Sequence, residues 1–442
     1  MLYRLNIIFM FFCSIAFSQV QFSRIVPIDY YHGDGKSMGM GNSMVSNCSS
    51  SLAIISNPAK LASLSNSFYF QSFLSSISER RSTIISDMWG DFLANADYVF
   101  NQNSNLKASA GFNYSKSYGD INFGVGLSIM PYSSFNYTYE EEVRSDADLE
   151  DGVIGIDDPI IGFHILRNKG DVYVNSIGFA CSFKKRISIG VGFNQIQSSM
   201  IKDDISIDIV DATEYSQNNL SSIQNYENSL SIEKKGFITF SINYLINDLD
   251  ISLSIENDAM IGSKDESSFQ ISEQLGLPII FDSENSFLNY NISGLSYQKP
   301  SKISFGLMYT PKYNSDFSIS LETVQKKWNH NINYSSFLID SIVEYRFGFE
   351  YAPIKGFPIR AGLVYSESPF LILDPKTVLT LGTGKKFGDV TLDLALNYNK
   401  LSYLHYDLFP TEDIFDLNCD EIGCDTVKEN SLIFLATVRY NF

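Results

Sequence analysis

The pattern that most constrains this chain is an alternation of period two. In Ile121 to Ile129, INFGVGLSI, the apolar residues Ile121, Phe123, Val125, Leu127 and Ile129 share one face, and Asn122, Gly124, Gly126 and Ser128 the other. Ile187 to Asn194 repeats this, with Ile187, Ile189, Val191 and Phe193 against Ser188, Gly190, Gly192 and Asn194, and so do 250–256, 302–310 and 391–399. Successive side chains of a strand point to opposite faces, so these are strands with one apolar face. The period fits a soluble sandwich as well as a membrane barrel, and connection lengths separate the two. Fourteen candidate strands cover 66–76, 106–116, 120–138, 171–185, 186–205, 232–246, 248–260, 301–312, 315–327, 340–353, 357–368, 376–387, 389–404 and 430–442. Short connections at 117–119, Lys185-Arg186, Asn247, 313–314, 354–356 and Gly388 alternate strictly with long ones at 77–105, 139–170, 206–231, 261–300, 328–339, 369–375 and 405–429. Short turns at one end, long loops at the other and an even strand count are the plan of an outer-membrane barrel. The expected fold class is all-β, a transmembrane antiparallel β-barrel of about 14 strands over residues 66–442.

The amino terminus agrees. Met1 to Ser18, MLYRLNIIFMFFCSIAFS, carries one Arg, an apolar run and Ala16-Phe17-Ser18 before Gln19, the form of a secretory signal peptide over residues 1–18. Beyond it no run approaches the ~20 apolar residues of a membrane helix, which leaves a closed barrel as the way to sit in lipid. The composition is that of a barrel as well: 14 % aromatic, from 26 Tyr and 34 Phe, and only 19 % charged, against about a quarter in soluble domains. Tyr132, Phe135, Tyr137 and Tyr139, or Tyr403 and Tyr406, gather at strand ends as interfacial girdles do. The last segment, SLIFLATVRYNF, ends on Phe442, like the assembly signal of bacterial outer-membrane proteins.

Charge and chemistry exclude other classes. Fifty acidic against 32 basic residues, net −18, argue against nucleic acid as a partner. Segments 139–170 and 405–429 carry −13 of that total, on the expected outer surface, where outer-membrane lipid and cation-bridged lipopolysaccharide are the expected partners. His32, His164, His330 and His405 are scattered and form no triad, so no enzyme activity and no cofactor is expected. The acidic run Asp146 to Gly152 departs from a calcium loop, with its Gly out of register and Asp157 at position twelve, so no metal is expected. Cys419 and Cys424, exported and close together, are expected to form a disulfide.

Two regions carry a family resemblance. Ser37-Met38-Gly39-Met40-Gly41-Asn42-Ser43, followed by Ile55-Ser56-Asn57-Pro58-Ala59-Lys60 before the first strand, resembles the amino-terminal plug of FadL-type outer-membrane transporters of hydrophobic, long-chain fatty acid-like compounds. The succession from Lys299-Pro300 through SKISFGLMYTP, Trp328, VEYRFGFEYAP, FPIRAGLVYSESP and TVLTLGTGKKFGDVTLDLALNY is similar to the last seven strands of that family. Lys60 stands where the family usually has Gly, and Asn47 to Ser51 lacks the acidic residues common there. The resemblance implies fourteen strands and a plug over residues 19–65 lying in the lumen, with Met38, Gly39, Met40, Gly41, Asn57, Pro58 and Ala59 as its gating residues. It also implies that a hydrophobic small molecule is captured by extracellular loops, passes into an apolar lumen pocket and leaves sideways through the wall. Ile433 and Leu435 have the lumen-side parity of the last strand, and Leu277, Ile279 and Phe281 offer an apolar loop surface. Arg346 and Arg360, beside Glu344 and Glu350, could bind an acidic head group or form a structural ion-pair network. The PorV-like subgroup, linked to type IX secretion, opens similarly and gives the runner-up function: a non-transporting barrel whose partner is a secretion-system protein.

Overall fold

A computed structural model of the protein describes residues 28–86, 89, 92–145, 159–217, 225–230, 233–262, 296–314, 316–328, 341–354, 356–369, 373–406, 409 and 424–442. The signal peptide, the loop residues Leu277, Ile279 and Phe281, Cys419 and the side chain of Cys424 lie outside them.

Fourteen strands form the wall: β1 (Ser67–Ser86), β2 (Phe92–Tyr118), β3 (Ile121–Ser134), β4 (Asp171–Phe183), β5 (Ile187–Ser198), β6 (Lys235–Ile246) and β7 (Leu249–Glu256). The second half is β8 (Ser301–Tyr309), β9 (Phe317–Lys327), β10 (Ser341–Ile354), β11 (Phe357–Ser366), β12 (Lys376–Phe387), β13 (Val390–Tyr406) and β14 (Cys424–Asn441). Each pairs antiparallel with the next. β1 pairs with β14 from Ser67↔Asn441 to Ser82↔Thr426, which closes the sheet and leaves no edge in lipid.

The alternation sets which face looks out. Phe123, Ile189 and Leu381 are 48 %, 47 % and 56 % exposed, while Asn122, Ser128 and Ser188 are buried inside. A soluble barrel would reverse these two sets, so the outer surface is built for lipid. At the short-turn end Phe68, Phe112 and Phe442 pack together with centroids 5.0 to 6.1 Å apart, part of an aromatic rim. The tight turns there carry positive φ at Gly119, Lys184, Lys185, Asn247, Gly356 and Gly388, as turns that match strand twist require. Among the described residues no helix is long and apolar enough to cross a membrane.

The expected strands recur at the short-turn end, but at the open end 120–138 breaks after Ser134, 186–205 after Ser198 and 248–260 after Glu256, while others run longer than expected. β1 and β2 continue as a paired hairpin through most of 77–105, and β14 starts at Cys424, where loops were expected. These extensions are rich in Ser and Asn and lack apolar alternation, because above the lipid a ladder needs only its backbone bonds. The long connections also hold a second, four-stranded sheet of Tyr137–Arg144, Ile160–Lys169, Ile201–Ile209 and Tyr226–Leu230. Its strands lie side by side in the order of β3, β4, β5 and β6, their neighbours in the chain.

Candidate functional site

The lumen is occupied by residues 28–62. Ile28–Asp29 pairs with Ser133–Ser134 of β3, and the chain then forms α1 (Gly35–Gly39), α2 (Met44–Asn47), α3 (Ala53–Ser56) and a 3-10 turn at Pro58–Ala62. Asp34 organises the start. Its carboxylate accepts from Ser37 N at 3.0 Å, Ser49 N at 2.7 Å and the Ser49 hydroxyl at 2.9 Å. Burial pushes that carboxyl up, but the backbone amides of Ser37 and Ser49, the Arg439 charge and the Ser49 hydroxyl together hold it below its ordinary value. Asp34 is therefore a charged cap in a buried place.

The segment is bound to the wall on all sides. Thr437 accepts from Gly35 N, Thr380 from Gly41 N and Ser241 from Ala59 N, at 2.8 to 2.9 Å. Glu322 Oε1 on β9 accepts from Val45 N at 2.6 Å and Ser46 N at 3.0 Å, capping α2 from the barrel side. Asn57 donates to Asn243 Oδ1 at 2.8 Å, and Lys60, the departure from the family pattern, pairs with Asp250 at 3.0 Å.

Inward-facing glycines let the backbones meet. A Cβ on Gly362 would stand 2.1 Å from Gly41 N, and one on Gly348 2.2 Å from Met40 O. Across the barrel, a Cβ on Gly190 would stand 2.3 Å from Ala59 N, and one on Gly192 2.4 Å from Ile54 O. Gly39, Met40 and Gly41 thus sit against β10–β12, Met38 packs on Phe73, Ala395 and Leu435 of β1, β13 and β14, and Asn57, Pro58 and Ala59 lie against β5 and β6. At this level the axis of the barrel is filled.

Beside this segment lies a cavity of about 230 Å³. Val324, Trp328, Ile342, Val364, Val378 and Ile433 give it apolar wall, and Tyr31, Met44 and Ile55 line it from the plug. Charged residues line it too: Lys302, Lys326, Glu344, Arg346 and Lys376. The lining is therefore amphipathic rather than wholly apolar. Ile433 faces this cavity, whereas Leu435 is fully buried under Tyr30, Met38, Phe73 and Ala395. The two arginines are engaged by carboxylates. Arg346 pairs with Glu344 at 2.6 Å and lies 3.6 Å from Glu322, and Arg360 pairs with Glu350 at 2.5 Å and Asp393 at 2.6 Å.

The wall itself is interrupted next to the plug. The β2–β3 ladder runs from Tyr118↔Ile121 only to Ala110↔Ile129. Beyond it Met130, Tyr132, Ser133 and Ser134 are all buried, and Tyr30 N donates to Tyr132 O at 3.0 Å. Residues of the plug entrance thus stand where β2 would have continued as the neighbour of β3. The ion pair Lys107–Asp171 spans this slit, and Tyr30, which lines the cavity, reaches Asp171 at 3.5 Å.

Sequence reasoning did not find the plug receptors Glu322, Thr380, Thr437 and Ser241. The usable signal was the pair of inward G-x-G runs in β3 and β5, which mark where a second backbone has to approach. Cys48 and Cys181 are free thiols.

No family model and no curated protein matches this chain. Solved structures do. The P. putida toluene transporter TodX is similar with a TM-score of 0.54 at 13 % identity, over 93 % of this chain and 99 % of that one. A Pseudomonas aeruginosa FadL homologue is similar with a TM-score of 0.54 at 12 % identity, over 94 % of this chain and 100 % of the other. At such identities the likeness is one of fold, and the fold is that of the FadL-type barrels.

Proposed function

We propose that this protein is an outer-membrane transporter that takes up hydrophobic small molecules, long-chain fatty acid-like in their apolar bulk, and releases them sideways through its wall. The observation that carries this reading is the contrast between axis and wall. The axis is filled by a segment bound to opposite walls, while the β2–β3 ladder stops partway up, beside a cavity that the same segment lines. A water-filled diffusion pore would need the reverse. An apolar body entering the cavity gains roughly 25 cal/mol for each Å² removed from water, and Trp328, Ile342, Val364 and Ile433 supply that contact. The solved structures of like fold include a toluene transporter, which fits a cargo of this class.

The test is purification in mild detergent with mass spectrometry of everything that co-elutes, beside uptake of a radiolabelled apolar compound by cells carrying the protein. Val364→Asp places a charge on the cavity wall. Co-eluting apolar compounds that vanish in Val364→Asp, together with lost uptake, support transport. An empty cavity with a stoichiometric protein partner replaces it with the secretion-accessory function.

A further inference from the structure

The four-stranded sheet at the open end is the upper wall of β3 to β6, folded over. Three of its junctions are short and lie at one height: 135–136 after β3, Gly170 before β4 and 199–200 after β5. Backbone bonds tie this crease, Phe135 N to Gly170 O at 2.8 Å and Ser199 N to Asp171 O at 3.0 Å. A side chain at Gly170 would stand 2.7 Å from Ile201 Cγ1, so the crease is tight. Beyond it the sheet leans inward, since the Tyr137 hydroxyl donates to Glu79 at 2.7 Å on the inner face of β1.

The free edge of this sheet is held in an unusual way. Had β3 run straight, residues 136–140 would have paired with β2 through backbone groups. Instead, inward-facing asparagines at alternate positions of β2 reach them. Thr138 N donates to Asn103 Oδ1 at 2.8 Å, and Asn103 Nδ2 donates back to Thr138 O at 2.9 Å. Glu140 N donates to Asn101 Oδ1 at 3.1 Å, and Asn136 Nδ2 to Asn105 Oδ1 at 3.3 Å. A side-chain amide carries donor and acceptor as a peptide group does, so Asn103 reproduces the two-bond exchange of an antiparallel pair. Such bonds can be traded for water with little net change, and each asparagine can swing away without moving the strand that bears it.

We propose that this sheet is a hinged flap laced to the wall by Asn101, Asn103 and Asn105, and that unlacing it opens the slit between β2 and β3 to the lumen cavity. This rests on the transport reading for its purpose but not for its geometry. The slit already meets the cavity at Tyr30, which lines the cavity and whose hydroxyl reaches Asp171 at 3.5 Å. Opening requires the lace to release residues 136–140, Tyr137 to leave Glu79, Tyr139 to leave Arg81 and Phe409, His164 to leave Phe409, and Lys107 to part from Asp171.

Trp328 lines the cavity and Trp89 is the other tryptophan of the chain, so acrylamide quenching of Trp328 in a Trp89→Phe background reports access without any cargo. In Asn103→Cys/Thr138→Cys protein, bridging with a bis-methanethiosulfonate reagent is expected to slow quenching at least threefold, with recovery after dithiothreitol. The Asn101→Ala/Asn103→Ala/Asn105→Ala variant is expected to speed it by a similar factor. If that variant fails to assemble, the bridged pair decides alone. Equal quenching in bridged and reduced protein overturns the flap. Quenching that follows the lace, in cells that take up no apolar compound, keeps the flap and removes transport.

Discussion

His32 shows how much the burial of one side chain fixes. It stacks on Tyr132 with centroids 4.3 Å apart, and its Nε2–H donates to Tyr132 O at 2.8 Å. Burial, helped by the charge of Lys302 and opposed by Asp29 and Glu256, lowers its pKa from 6.5 to about 4. The unfolded chain therefore binds the extra proton first. The contribution of neutral His32 to plug stability is complete above about pH 6.5 and is lost as pH falls toward 4. Hydrogen exchange at residues 30–43, corrected for intrinsic rates, is expected to rise over that window, and His32→Gln is expected to remove the dependence. Nothing in the sequence distinguished this histidine from His330 or His405, because its environment is made by β3 and β8, which are distant in the chain. The inward glycines are the opposite case. In the sequence Gly190 and Gly192 stand only on the face opposite the apolar one, and a second backbone at 2.3 and 2.4 Å explains why nothing larger stands there.

At the scale of elements, the short helices of the plug lie far below the length at which a helix is stable alone, so the wall must hold them. Glu322 is the clearest instance, meeting two first-turn amides of α2. Glu322→Ala leaves both amides buried without an acceptor, at about 1–3 kcal/mol each, and removes a neighbour of Arg346. Limited proteolysis in rising urea is expected to cut residues 40–60 at lower urea in this variant. The barrel's resistance to heat in detergent is expected to persist, since β9 keeps its backbone pairs with β8 and β10. Strands were legible wherever one face had to meet lipid, which enforces strict alternation. Above the lipid that requirement lapses, and Ser75 to Ser82 and Asn101 to Lys107 carry no such pattern. The asparagine lace was invisible for a related reason: the partners of Asn101 and Asn103 are backbone groups, which leave no mark on the sequence at 138–140.

For the whole molecule, the count of fourteen followed from turns and loops alone, because closure forces an even set of strands to alternate their connections. What the barrel does with its bore was not legible that way, since a wall of this size leaves a lumen that must be filled or left open. The motifs Gly39-Met40-Gly41 and Asn57-Pro58-Ala59 marked the filling segment, and the structure places them against opposite walls. A protein lacking residues 30–62 therefore has a sharp expected property. Its wall keeps every pair from β1 to β14, because the plug lends the β-ladder only the two-residue contact of Ile28–Asp29 with β3. Its bore, lined by Ser, Thr, Asn and charged residues, would then admit water and ions. In a planar bilayer the intact protein is expected to pass no steady current, and the deleted form to give discrete, salt-dependent openings. A steady current through the intact protein would mean that the plug leaves an aqueous path, and a lateral route would then no longer be needed to explain how anything crosses.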